Sequence, residues 1–372
     1  MDKMNWFETH RLTARFVLIG IIFVMSFGMM ELFLWGVEYY HYVKPANRVL
    51  FDRYRQVYSD ELDKEYVFGH KSNVNVLLVS RDNKYTFITN SEGLREKEEY
   101  EELDKSVIFL GDSIVEGVSV DNDETMDAVF EDKTGITALN FGVGSSNTIQ
   151  EYFWLKSKYR NEYNTKLIIL GFCINDLFQN THLRRFDPER SNWTLYKYLD
   201  DESMGKNTNV KLKTKQFLRR SKTLSFLYRV YTELLRKKSD LAGLPPDGYS
   251  EVSEENKKYT ALYIRKLKEF AEKIGSEFVA VIFPREKQLR AEYTDIHRRA
   301  QDVLIEILEE TGVEYIDLYP LMRENYIARP DIKWYHDNTH PYKRGHQLIG
   351  LYLAETLPEK FPKVFKQGRL PF

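Results

Sequence analysis

Five short apolar runs punctuate residues 106–372: VIFLG (107–111), ALNFG (138–142), LIILG (167–171), FVAVIF (278–283) and VEYIDL (313–318). Each is apolar without alternation, so each predicts a strand buried on both faces. The intervals between them carry helical patterns, long at 148–163, 256–274 and 287–311 and shorter in the first interval. Strands of this kind alternating with helices predict an α/β fold, a parallel sheet in a three-layer α/β/α sandwich. In such folds the chemistry sits at the carboxyl ends of the strands. Composition agrees with a folded chain: 42% of residues are hydrophobic and 30% charged. The 54 basic and 56 acidic residues nearly cancel, which excludes a protein held to nucleic acid by global charge. A single cysteine, Cys173, excludes an internal disulfide and a cysteine-based zinc cluster.

The amino terminus reads as a membrane anchor. Residues 16–37 hold one charge, Glu31, and at 1.5 Å per residue would span about 33 Å. Trp35, Tyr39 and Tyr40 stand where an interfacial belt belongs. A cleaved signal peptide needs small residues after the run, but Ser26 and Gly28 lie inside it and Met29 and Met30 follow. Lys3, Arg11 and Arg15 precede the span, which orients residues 1–15 toward the cytoplasm and the remainder outside.

Residues 41–105 read as a polar extracytoplasmic extension, with a strand pair near 74–79 and 85–89. The domain proper is then 106–372. The interval 178–255 is too long for an ordinary connection and reads as a helical insertion. Its stretch 211–240 carries ten Lys or Arg against two acids. A lid, or a patch for anionic headgroups or an anionic polymer, is one reading; a packed helical hairpin with a solvated basic face is the other.

The strand ends carry the chemistry. The first ends in Gly111-Asp112-Ser113, the second leads into Gly142-Val143-Gly144-Ser145, and the third leads into Asn175-Asp176. Asp337 and His340 follow the fifth. A serine hydroxyl needs a base, His340 can supply one, and Asp337 can hold the other imidazole nitrogen. The oxyanion formed on attack needs donors: the Asn175 amide, the Ser113 N–H and an N–H from the 142–145 turn. Asp112 and Asp176 read as orienting groups, and Cys173 as core. His336, His340 and His346 lack partners at metal-ligand spacing, so no metal and no other cofactor is expected. The Gly142-x-Gly144 pair lacks the third glycine of a dinucleotide loop, since Asn147 stands there.

In these motifs the chain resembles the SGNH hydrolases, the GDSL esterase/lipase superfamily. GDSI (111–114), NFGVGSS (140–146), GFCIND (171–176) and DNTHP (337–341) are similar to its sequence blocks, in order. NSEGLR (90–95) and EGVSVDNDET (116–125) resemble the bacterial membrane-anchored type. The resemblance implies a flavodoxin-like sandwich of five parallel strands, a Ser113 nucleophile, an Asp337–His340 pair, and oxyanion donors at Ser113, Asn175 and the second block. Ile114 replaces the usual Leu. Ser145 stands where the family's oxyanion glycine usually lies; Ser145 and Gly144 both remain candidates.

The expected function is a membrane-anchored serine esterase acting on O-acyl groups of an envelope or secreted polysaccharide. An O-acetyltransferase with the same residues, a lipase and a non-catalytic polysaccharide-binding or assembly protein are the alternatives.

Overall fold

The structure, a computed structural model, describes residues 11–43, 57–58, 68–79, 83–187, 192–197, 223, 252–290 and 298–365. It divides into two compact units, Met1–Arg48 with Leu199–Pro246, and Val49–Tyr198 with Asp247–Phe372.

In the first unit, helix α1 spans Arg11–Val43. Its segment Arg15–Gly36 is long and apolar enough to cross a membrane, by length and composition, and no part of it is buried in the protein. Glu31 accepts a hydrogen bond from the Thr223 backbone N–H at 2.9 Å. The rest of the basic stretch 211–240 lies outside the described residues.

The second unit holds strands β1 (Asn75–Val79), β2 (Lys84–Ile88) and β3 (Ser106–Gly111). Helices α2 (Ser113–Glu116) and α3 (Met126–Thr134), strand β4 (Thr137–Gly142), helix α4 (Thr148–Lys158) and strand β5 (Thr165–Cys173) follow. Next come α5 (Ile174–Gln179), β6 (His182–Asp187), β7 (Asn192–Lys197), α6 (Glu254–Lys273) and β8 (Glu277–Phe283). The chain closes with α7 (Arg299–Glu310), β9 (Glu314–Asp317), α8 (Tyr319–Ala328), α9 (Lys343–Lys360) and α10 (Pro362–Phe365).

Strands β4-β3-β5-β8-β9 form one five-stranded sheet, and all four pairings are parallel. Renumbered within the sheet, the order is 2-1-3-4-5, the flavodoxin-like winding. Alternate strand residues divide between two cores. Ile108, Leu110, Phe141, Leu170 and Ile282 pack with Leu155 of α4, Leu267 of α6 and Leu304 of α7. Val107, Phe109, Ile169 and Val281 pack with Phe130 of α3, Met322 of α8 and Leu353 of α9. Burial on both faces explains why the strands read as unbroken apolar runs.

The extension is woven into the first of these cores. Val57, Tyr58, Phe68, Leu78, Tyr85 and Phe87 are buried among the sheet residues. The β1–β2 hairpin also binds the loop after α2: Thr86 N donates to Asp121 and Ile88 N donates to Asn122.

Three sequence expectations need correction. After α5, the insertion opens with an antiparallel β6–β7 hairpin rather than a helix. The Trp-Thr-x-Tyr content of its second segment, NWTLYK, favours strand. The helix expected at 148–163 stops at Lys158, and a separate 3-10 turn covers Asn161–Tyr163. The helix expected from residue 287 begins at Arg299; a 3-10 turn at Glu286–Leu289 precedes it, and residues 291–297 lie outside the described set.

Candidate active site

Three glycines lie in register near the carboxyl ends of neighbouring strands: Gly111 opposite Gly142 on one side and Gly171 on the other. They form a floor without side chains, and α2 rests on it. A Cβ on Gly142 would stand 2.1 Å from the Glu116 backbone N, and one on Gly171 2.3 Å from Val115 Cγ2. The close approach of helix and sheet therefore requires glycine here.

Asp112 starts α2 as its N-cap, accepting from the Ile114 N–H at 2.9 Å. Ser113 is thus lifted to the first turn of the helix, half-buried above the floor. Its Oγ lies 2.8 Å from His340 Nε2. His340 Nδ1 lies 2.8 Å from Asp337 Oδ2. A carboxylate only accepts, so the proton sits on Nδ1 and Nε2 accepts from the serine. Asp337 Oδ1 accepts from the backbone N–H groups of Thr339 at 2.7 Å and His340 at 2.9 Å. Partial burial would raise the Asp337 carboxyl, yet the hydrogen bond and charge of His340 and these two N–H groups hold it well below the usual range.

The 334–341 loop is pinned from the β8 side. Tyr335 donates to the Pro284 carbonyl at 2.8 Å, Arg285 donates to Thr339 Oγ1 at 3.2 Å, and Glu286 N donates to the Asn338 carbonyl at 3.0 Å. His336 N also donates to the His340 carbonyl at 2.8 Å, closing the loop on itself.

The two turn candidates separate. Gly144 directs its N–H inward, to Glu116 Oε1 at 3.0 Å. That corrects the expectation that Gly144 could serve as an oxyanion donor, because its N–H is committed to a buried carboxylate. Ser145, the other candidate, has φ 71°, the left-handed region that favours glycine. Asn175 stands in the first turn of α5, with its amide nitrogen 3.2 Å from Asp112 Oδ2 and 3.1 Å from Asp176 Oδ1.

Buried titratable groups surround this arrangement. Burial, with the Asp112 and Asp176 charges, pushes the Cys173 thiol well up, so it stays a neutral core group. Burial and the Asp112 charge likewise raise the Glu151 carboxyl. His346 is fully buried in α9, its Nδ1 accepting from Met126 N at 3.2 Å. Burial, then the charges of Arg95 and His340, push it down to about 3.

A second cluster escaped the sequence reading. Glu116, fully buried, accepts on Oε1 from Tyr58 Oη at 2.5 Å and contacts His70 Nε2 at 2.7 Å. Arg95, also buried, donates to the carbonyls of Glu116, Gly117 and Val120 at the end of α2. Two signals were available: a lone acid inside the apolar stretch SIVEGVSV, and the NSEGLR motif that supplies Arg95.

A model of the GDSL-like lipase/acylhydrolase family matches residues 109–348. No curated protein matches the chain in sequence. Among solved structures, a member of the lipolytic G-D-S-L family from Veillonella parvula is 12% identical, covering 68% of this chain and 97% of its own, with TM-score 0.39. The lipase/acylhydrolase from Enterococcus faecalis is 11% identical, covering 72% and 100%, with TM-score 0.39. An acetyl xylan esterase is 13% identical, covering 69% and 99%, with TM-score 0.37.

Proposed function

The chain belongs to the GDSL-like lipase/acylhydrolase family and is an ester hydrolase; from that premise we propose a membrane-anchored esterase that removes O-acyl groups from an envelope or secreted polysaccharide. The observation that carries the catalytic part is the hydrogen-bonded chain Ser113–His340–Asp337, with two links of 2.8 Å at the carboxyl rim of the sheet.

In this reading Ser113 Oγ adds to the ester carbonyl carbon while its proton passes to His340 Nε2. Asp337 stabilises the imidazolium that forms. The tetrahedral oxyanion is received by the Ser113 and Ser145 N–H groups and by the Asn175 amide, which turns one N–H away from Asp112 or Asp176. Each such donor is worth about 3 kcal/mol of barrier. Collapse expels the alcohol, which takes the proton from Nε2, and leaves an acyl group on Ser113. Water, deprotonated by His340, then releases the carboxylic acid and restores the serine.

The apolar helix α1 supports anchoring, and the basic residues ahead of it support an outward-facing catalytic unit. A hydrolase held at that surface would meet acylated glycans in place.

The test uses the full chain in detergent micelles. Turnover of p-nitrophenyl acetate above butyrate, abolished in Ser113→Ala, supports the reading; equal activity of wild type and variant overturns the serine assignment. Release of acetate from acetylated polysaccharide, with recovery of the chain in carbonate-washed membranes, supports the substrate and anchor. Rapid cleavage of long-chain esters with no acetate release replaces the polysaccharide reading by a lipase.

A further inference from the structure

The reaction above draws nothing from residues upstream of Asp112. The structure nevertheless concentrates buried polar groups from that upstream segment directly beneath the second-block turn.

Glu116 is the last residue of α2, one helical turn after Ser113. Its Oε1 receives three groups at once: Tyr58 Oη at 2.5 Å, His70 Nε2 at 2.7 Å and the Gly144 N–H at 3.0 Å. His70 Nδ1 faces the Gly93 carbonyl at 3.2 Å. A carbonyl only accepts, so Nδ1 carries a proton. The Glu116–His70 contact therefore holds one further shared proton, in a pair whose side chains are 0% and 1% exposed. A buried pair of this kind is tolerated only with further hydrogen bonds, and Tyr58 and Gly144 supply them.

Space enforces the same tie. A Cβ on Gly144 would lie 2.2 Å from Tyr58 Oη and 2.8 Å from Glu116 Oε2. The turn can sit this low only because residue 144 is glycine. Val143 N bonds the Gly111 carbonyl at 2.9 Å and Ser146 N bonds the Val143 carbonyl at 3.1 Å, so the turn is held before and after Gly144 as well. Ser145, in its strained left-handed conformation, lies between these fixed points.

We propose that His70 and Glu116 are positioning residues: His70, from the segment upstream of the sheet, holds Glu116, and Glu116 holds the Gly144 amide so that the Ser145 N–H is presented to the oxyanion. The proposal rests on the esterase reading and assigns the upstream segment a part in it. Neither residue touches substrate. The pair acts on the transition state, where the oxyanion exists, and leaves ground-state binding alone.

The test compares wild type, His70→Gln, Glu116→Leu and Glu116→Gln as full chains in detergent. Each is assayed with p-nitrophenyl acetate and with its thiono analogue, in which C=S replaces C=O. Sulfur is a weak hydrogen-bond acceptor, so the thiono ester gains little from the oxyanion donors. Amide hydrogen exchange across 143–146 is followed in parallel. Glu116→Leu and His70→Gln are expected to lower kcat for the oxygen ester about 10- to 100-fold with KM nearly unchanged. The thiono rate should fall far less, narrowing the oxygen-to-thiono ratio, and the turn amides should exchange faster. Glu116→Gln keeps an acceptor oxygen and should recover most of the activity. Parallel loss on both esters, unchanged exchange in the turn, or Glu116→Gln as poor as Glu116→Leu each overturns the proposal. Wild type inert toward both esters overturns the esterase reading itself, and the exchange measurement then judges the tie to the turn independently.

Discussion

Glu116 Oε1 lies 3.0 Å from the Gly144 backbone nitrogen, so the helix that begins at Ser113 and the turn that contains Ser145 are bonded to each other beneath the site. Ser113 and Ser145 are therefore linked through one buried side chain.

Gly142→Ala places a methyl group 2.1 Å from the Glu116 backbone nitrogen. Backbone cannot retreat as a flexible side chain can, so α2 must lift. A loss of about 3 kcal/mol or more in stability, with activity abolished, is expected. Chemical denaturation together with ester turnover checks it; a variant of wild-type stability sinks the close-packing argument.

Ser145→Gly removes the left-handed strain at φ 71°. The expected gain is about 0.5–1 kcal/mol, read as a higher melting temperature, with esterase activity retained. Ser145→Val should move both quantities downward. A Ser145→Gly chain less stable than wild type would show that the serine hydroxyl outweighs the strain.

Asp337→Asn replaces an acceptor by an amide that can donate toward His340 Nδ1. The imidazole would then settle in the tautomer that cannot accept from Ser113. A fall in kcat of about 10⁴-fold with little change in folding is expected. Loss of less than about tenfold would remove Asp337 from the mechanism.

His346 gives a pH dependence with a defined sign. Its folded value near 3 lies below the ordinary 6.5. Between those limits the unfolded chain binds a proton that the folded chain refuses, so stability falls as pH drops through the window. Asp127, raised to about 7 by burial, acts in the opposite direction, so the effect is read as a difference between variants. The fall in melting temperature from pH 7 to pH 4 should be smaller for His346→Gln than for wild type. Equal falls would sink the assignment.

The fold was legible because both faces of the sheet are buried: runs such as LIILG admit no other placement, and their ends mark the site. Ser113, Asn175, Asp337 and His340 stand in short motifs whose chemistry is local. Glu116 and His70 were hidden for the opposite reason. Their contact joins residues 46 positions apart, and His70 sits in a polar segment with no periodicity to mark it as buried. The β6–β7 hairpin was missed because the basic stretch downstream set the helical reading of the whole insertion.

Val57 and Tyr58 are buried in the same core as Ile108 and Leu110, whereas the family match begins at residue 109. The boundary of kinship and the boundary of folding thus fall at different places. A fragment cut to the family's limits would take Val57, Tyr58, Phe68, Leu78, Tyr85 and Phe87 out of that core and leave Glu116 without Tyr58 or His70. Any truncated version intended for crystals or assays has to start ahead of Val57.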